Sequence, residues 1–209
     1  QLLQHCASKI KLNYKLKENR KYIYVSVGCA VCCVQVIMSV CQVTGGLFLS
    51  GLDAARSRSL ISSRNITLII NASGQDVSYP HGPGVEVVPV PVPDSPHAPL
   101  ARYFEPVAER IDGNRTGNTL VHCTAGRSRS AALVIAYLMR CEGVSLRQAH
   151  EALLEKRPHI RPNAGFWRQL MEYERALFGR NTVRMTVTSC GVLPEALDPD
   201  GAAAYCINI

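Results

Sequence analysis

The sequence predicts an α/β fold whose central, mostly parallel sheet is flanked by helices on both faces. Three observations carry this. Short apolar runs without the polar alternation of a half-exposed strand recur along the chain, as expected for strands buried on both faces. Segments with apolar residues at helical spacing stand between and after them. Helix caps and turn residues fall at the junctions.

Taken in order, LFLS at 47–50 is a short strand, and Asp53 is placed to cap a helix over AARSRSLISS. ITLIIN at 66–71 is a continuous apolar strand, and residues 72–84, with Gly, Pro and Asn, form a loop. VEVVPV at 85–90 is a strand running into the proline-rich PVPDSPHAP. Helical spacing then runs from Leu100 to about Ile111, ended by Asp112-Gly113-Asn114. NTLVHC at 118–123 is a strand, and SRSAALVIAYLMR a helix stopped by Gly143. Ser145 caps a helix through Lys156, and NAGFWRQLMEYERALFG is a last helix with Phe166, Leu170, Tyr173 and Leu177 on one face. The expected organisation is a basic then apolar extension over 1–39, a catalytic domain over 40–185 and a tail over 186–209.

Of the formal charge of +7 over 209 residues, the first 21 residues carry six bases against Glu18 alone, and the remainder is nearly balanced. A balanced body lacks the clustered Lys and Arg of a nucleic-acid-binding face, so no nucleic-acid partner is expected. The uncharged run over 22–43 has the length of a membrane span, but the favoured reading makes its end a core strand and the rest an extension. Nine cysteines at irregular spacing, with one CxxC (Cys29, Cys32) inside that apolar run and no histidines at zinc-ligand spacing, argue for reduced thiols. The expected compartment is the cytoplasm, with the nucleus beside it; mitochondrial and membrane-anchored placements are the alternatives.

Chemistry concentrates in VHCTAGRSRS, residues 121–130, where Arg129 stands six positions after Cys123. The bare spacing is weak evidence, because Cys141 and Arg147 repeat it. Their settings differ. Cys141 closes a helix beside Glu142, where the partial negative charge of the helix end disfavours a thiolate. Cys123 ends a strand just before a helix N-terminus, so the backbone N–H groups of Thr124, Ala125, Gly126, Arg127 and Ser128 can converge on one point, and Gly126 lets that turn close. Such a cradle binds a phosphate dianion and stabilises a cysteine thiolate, and Arg129 can grip two phosphate oxygens at once. Asp94, at the proline-rich strand exit, is placed to supply a proton to a leaving oxygen, although an Asp before Ser-Pro also suits a plain turn. Ser130 could donate to a departing thiolate, its alternative being a first-turn helix residue. His122 reads as a supporting residue that shapes the loop rather than a proton carrier.

The stretch from His122 to Ser130 resembles the signature loop of the dual-specificity protein phosphatases. PVPDSPHAP, AALVIAYLMR, RPHIRPN at 157–163 and GFWRQLMEYERALFG resemble the small atypical members that consist of a catalytic domain alone. The resemblance implies the protein-tyrosine-phosphatase-like fold, Cys123 as nucleophile, Arg129 as phosphate clamp and Asp94 as general acid, with Asn163 beside His122 in a supporting role. It implies activity on phosphotyrosine and phosphoserine or phosphothreonine through a cysteinyl-phosphate, with no metal or cofactor, and phosphorylated proteins, MAP kinases among them, as partners. Arg127 stands where close relatives often carry a small apolar residue. CxAGRSR also resembles a phosphatase of phosphatidylglycerophosphate, so hydrolysis of an acidic lipid is one alternative, although Thr124 stands where lipid-directed loops typically carry Lys. An inactive phosphoprotein-binding module is another.

Overall fold

The computed structural model describes residues 40–207 apart from 81, 83 and 190. The expectations for 1–39, including most of the apolar run over 22–43, lie outside the described residues. Among those that are described, no helix is long and apolar enough to cross a membrane.

The main sheet has five strands, β1 (Cys41–Gln42), β2 (Leu47–Ser50), β3 (Ile66–Asn71), β4 (Glu86–Pro89) and β5 (Asn118–His122), in the order β1-β2-β5-β3-β4. Strands β2, β5, β3 and β4 run parallel, and β1 joins the edge antiparallel. The three inner strands are buried almost throughout, which is why they read as continuous apolar runs.

The period of two along each strand divides the core into unequal layers. Leu47, Leu49, Leu68, Ile70 and Val121 face the larger one, formed with α3 (Phe104–Gly113), α4 (Arg129–Glu142), α5 (Leu146–Lys156) and α6 (Ala164–Phe178). Phe48, Ile69 and Leu120 face the smaller one, against Ala55 of α1 (Leu52–Ala55) and Ile61 of α2 (Arg58–Ser63). Helix α4 is buried from Arg129 to Met139 because it lies on the sheet with helices on its other sides. Its far end is Gly143 at φ 67°, a left-handed position that an L side chain resists.

Two expectations change. The single helix expected from Asp53 is a pair: Gly51 precedes α1, Asp53 lies in its first turn, and the Ser57 hydroxyl accepts from Leu60 N–H to start α2. Ser57 is extended, and its side chain offers the backbone an alternative to helical continuation. The stretch after α6 is a second sheet, β6 (Val183–Thr188), β7 (Gly191–Leu197) and β8 (Ala203–Cys206), antiparallel in that order, so the expected boundary at 185 falls within β6. Buried Glu174 ties the start of this sheet to α5, accepting from Leu146 N–H at 2.8 Å, Thr182 N–H at 2.8 Å and the Thr182 hydroxyl at 2.6 Å. Arg147 donates to the Leu197 carbonyl at 2.7 Å and lies over the Tyr205 ring.

Two buried histidines make this packing acid-sensitive. His150 of α5 stands edge-on to Trp167 of α6 with ring centroids 5.0 Å apart, and burial lowers its pKa to about 4. Burial does the same to His122, again to about 4, with the Arg129 charge adding to the effect. An unfolded histidine titrates near 6.5, so between these values the unfolded chain binds more protons. Stability is therefore intact above pH 6.5 and declines as the pH falls to 4, by roughly 3 kcal/mol per histidine. Urea unfolding at pH 7 and pH 4 should show this decline, and His150→Leu should lessen it by about one histidine's share.

Candidate active site

Strand β5 delivers Cys123 to the end of the sheet, and the chain turns there into α4. What shapes the turn is the fate of its carbonyls. Leu52 N–H donates to the Thr124 carbonyl at 3.0 Å. Arg157, itself 3% exposed, donates from Nη2 to the Ala125 carbonyl at 3.3 Å and from Nε to the Gly126 carbonyl at 2.7 Å. Arg161 N–H donates to the Arg127 carbonyl at 2.7 Å. With four successive carbonyls bound outward, the intervening N–H groups turn toward the hollow of the loop. Gly126 makes this geometry accessible: it sits at φ 67°, and a Cβ there would lie 2.4 Å from the Ser50 carbonyl oxygen.

The Cys123 sulfur, in a residue 2% exposed, accepts from Gly126 N–H at 3.2 Å and from the Ser130 hydroxyl at 3.1 Å. Beneath it, His122 donates from Nδ1 to the Cys123 carbonyl at 3.2 Å, since a carbonyl can only accept. Its Nε2 is thereby left to accept from the Tyr79 hydroxyl at 2.6 Å, and burial raises the Tyr79 pKa, keeping that proton in place.

Arg129 is 7% exposed and bridges three loops. Its Nη1 donates to the carbonyls of Ser73 at 2.6 Å and Val92 at 3.2 Å, and Nη2 donates to the Thr124 hydroxyl at 3.1 Å. The buried Nε–H has no hydrogen-bond partner, and Nη2 keeps a second hydrogen, so two donors on a rigid plane remain for a ligand. Asp94 faces them, with Oδ2 3.7 Å from Nε. Its Oδ1 accepts from the Ser128 hydroxyl at 2.7 Å and from Asn163 Nδ2 at 2.9 Å. The carboxyl is thus fixed through one oxygen, with the other toward Arg129.

These groups surround a cavity of about 370 Å³ lined by Asp94, Cys123, Arg127, Arg129, Arg161 and Asn163, with Thr124, Ala125 and Ser128 completing it. It can seat a tetrahedral oxyanion against Arg129 and the loop amides with a sulfur nucleophile behind it. Among the described residues, no three His, Cys, Asp or Glu side chains gather as a metal site would require.

The catalytic-domain model of the dual specificity phosphatases matches residues 47–176, more than half of the chain. The chain belongs to that family. It is 45% identical over 166 residues to human dual specificity protein phosphatase 14, covering 78% of this chain and 83% of that protein. It is likewise 45% identical to human dual specificity protein phosphatase 21, covering 78% of this chain and 87% of that one. The crystal structure of human DUSP28 superposes with a TM-score of 0.62 at 39% identity, covering 66% of this chain and 94% of that one. The protein is accordingly a dual specificity protein phosphatase, and its substrates are phosphoproteins.

The phosphatase brings together every site residue expected from sequence. Ser128 does more than expected, since its hydroxyl holds Asp94 while its backbone opens α4. Asn163 likewise both holds Asp94 and caps α6, accepting from Phe166 N–H at 3.0 Å. Arg127, expected as a second cation at the mouth, lines the cavity but commits its Nε to the His159 carbonyl at 2.8 Å. The second Cys-x5-Arg pair is no site: Cys141 is exposed on α4, burial of its sulfur and nearby Asp112 raise its pKa, and Arg147 is engaged with β7 and β8. Sequence reasoning missed Arg157, Ser73 and Tyr79. Of these, only Arg157 fell within a stretch, RPHIRPN, that the family resemblance had singled out.

Replacing Arg157 by Met leaves the Ala125 and Gly126 carbonyls without donors. The expected cost is about 3 kcal/mol in unfolding free energy, with kcat/KM for a phosphopeptide down by about 100-fold as the loop loses its shape. Gly165 touches the Asp94 loop so closely that a Cβ would lie 1.8 Å from the Pro96 carbonyl oxygen. Gly165→Ala should displace Asp94 and lower kcat by roughly 100-fold, while alkylation of Cys123 by iodoacetate proceeds at close to the wild-type rate.

Proposed function

We propose that this phosphatase hydrolyses phosphotyrosine and phosphoserine or phosphothreonine in proteins through a cysteinyl-phosphate intermediate. The observation that carries the mechanism is the convergence on one cavity of Cys123, Asp94 and Arg129, whose Nε–H makes no hydrogen bond and stands 3.7 Å from Asp94 Oδ2. In the first step the Cys123 thiolate forms the S–P bond as the P–O bond to the substrate breaks, and Asp94 Oδ2 gives its proton to the departing oxygen. Arg129 and the loop amides hold the equatorial oxygens as charge spreads over them. In the second step water attacks phosphorus, Asp94 takes its proton, and the S–P bond breaks. The Ser130 hydroxyl donates to the leaving sulfur.

The donors converging on Cys123 serve only a reduced thiol, which supports a reducing compartment, the cytoplasm first. MAP kinases are proposed substrates on the strength of the family resemblance. The lipid alternative rested on Arg127 as a headgroup cation; Thr124, which stands where lipid-directed loops typically carry Lys and accepts from Arg129 Nη2, counts against it.

The test is phosphate release from a doubly phosphorylated Thr-x-Tyr peptide and, in parallel, from phosphatidylglycerophosphate vesicles. Peptide turnover that disappears in Cys123→Ser is the expected result, and turnover of lipid alone would overturn the reading. Asp94→Asn should lower kcat on phosphopeptides by at least ~100-fold. It should cost much less with p-nitrophenyl phosphate, whose leaving oxygen needs no proton.

A further inference from the structure

The guanidinium that meets the phosphate is aimed from outside the phosphate loop. Arg129 Nη1 gives both of its hydrogens to carbonyls, that of Ser73 at 2.6 Å and that of Val92 at 3.2 Å. Because the guanidinium is planar, fixing Nη1 on two acceptors also fixes the direction in which Nε–H and the remaining Nη2–H point. The shorter of the two bonds falls on the corner where the chain leaves β3.

One side chain builds that corner. Asn71, the last residue of β3, is 5% exposed and stands beside His122 of β5 in the sheet. Its Oδ1 accepts from Ser73 N–H at 3.0 Å and from the Ser73 hydroxyl at 2.6 Å, and its Nδ2 donates to the Gln75 carbonyl at 3.0 Å. Gln75 N–H closes the ring by donating to the Ser73 hydroxyl at 3.2 Å. An Asn amide bonded to the backbone two residues on stands in for a backbone turn. Between Ser73 and Gln75, Gly74 takes the left-handed step at φ 71°, and a Cβ there would lie 3.5 Å from Arg129 Nη1. An amide buried at the end of an apolar strand requires hydrogen-bond partners, and those of Asn71 lie on Ser73 and Gln75, the residues on either side of that step.

We infer that Asn71 is a positioning residue for the phosphatase reaction, which through the Ser73 carbonyl sets the angle at which Arg129 meets the phosphate. The inference rests on the reading of Arg129 as the phosphate clamp. Asn71 is not among the residues that line the cavity, and the donors to the Cys123 sulfur, Gly126 N–H and the Ser130 hydroxyl, do not involve it. Its loss should therefore weaken the hold on anions while the nucleophile keeps its own reactivity.

The test is alkylation of Cys123 in the full chain by iodoacetate, whose carboxylate Arg129 can hold, and by neutral iodoacetamide, with the modified Cys123 peptide quantified by mass. The ratio of the two rates reads the grip on the anion. It is internal to each enzyme, so a change in folded fraction or in thiolate fraction cancels. Arg129→Met sets its floor. Asn71→Leu, close in shape but without the acceptor, should lower the ratio about tenfold and weaken inhibition by inorganic phosphate by a similar factor. Asn71→Ser, whose hydroxyl accepts from the same N–H more weakly, should fall between that variant and the wild type. Gly74→Ala, on an exposed residue outside the sheet, should also lower the ratio, and decides the matter if Asn71→Leu does not fold. A wild-type ratio in the deciding variant, with Arg129→Met low, would overturn the inference and leave the clamp standing. A wild-type ratio in Arg129→Met would overturn both.

Discussion

The site depends on where four carbonyls point. In a trans peptide the C=O and the following N–H lie on opposite sides, so turning the carbonyls of residues 124–127 outward is what lines the hollow with amides. None of the groups that hold them out is supplied by the loop itself. Leu52 comes from the β2–α1 junction, and Arg157 and Arg161 from the segment between α5 and α6. A buried carbonyl left unpaired costs about 1–3 kcal/mol. The scaffold meets that demand before any substrate arrives, so the amides need not reorganise when charge develops on a bound phosphate.

Arg129 shows the same economy of placement. Its Nη1 ties together the loops that follow β3 and β4, through Ser73 and Val92, and its Nη2 reaches the Thr124 side chain. The guanidinium is therefore a strut between loops as well as a donor to ligand, and its planar array of five N–H groups is what allows both. A lysine ammonium in its place would have to divide three donors on a flexible stem among the same duties.

Asp94 lies on a proline-rich segment, yet it is held by contacts with two helix starts. Ser128 opens α4 and Asn163 opens α6, and both donate to the same carboxyl oxygen. The close approach of Gly165 to Pro96 presses α6 onto that segment. The distance from acid to nucleophile loop is thus set by the packing of α4 against α6 rather than by the loop's own stiffness.

Much of this was legible along the chain, because it is written in short-range terms. Apolar runs of four to six residues marked β2, β3 and β5, and Ser145 and Gly143 marked helix ends, since caps and left-handed turns depend on the residue at that position. The strand-loop-helix setting likewise separated Cys123 from Cys141, because helix polarity acts within a turn or two. The break at Ser57 and the sheet β6–β8 were not legible: the first turns on one hydroxyl, and the second on Glu174 and Arg147 reaching residues distant in sequence. The sequence by itself therefore determined the order of elements from β2 to α6, the break at Ser57 excepted, and the candidate reacting groups. Tertiary structure alone decided what shapes the loop, which donors face Asp94 and which arginines share the cavity. Those contacts join residues some 31 to 72 positions apart and leave no period or spacing in the chain.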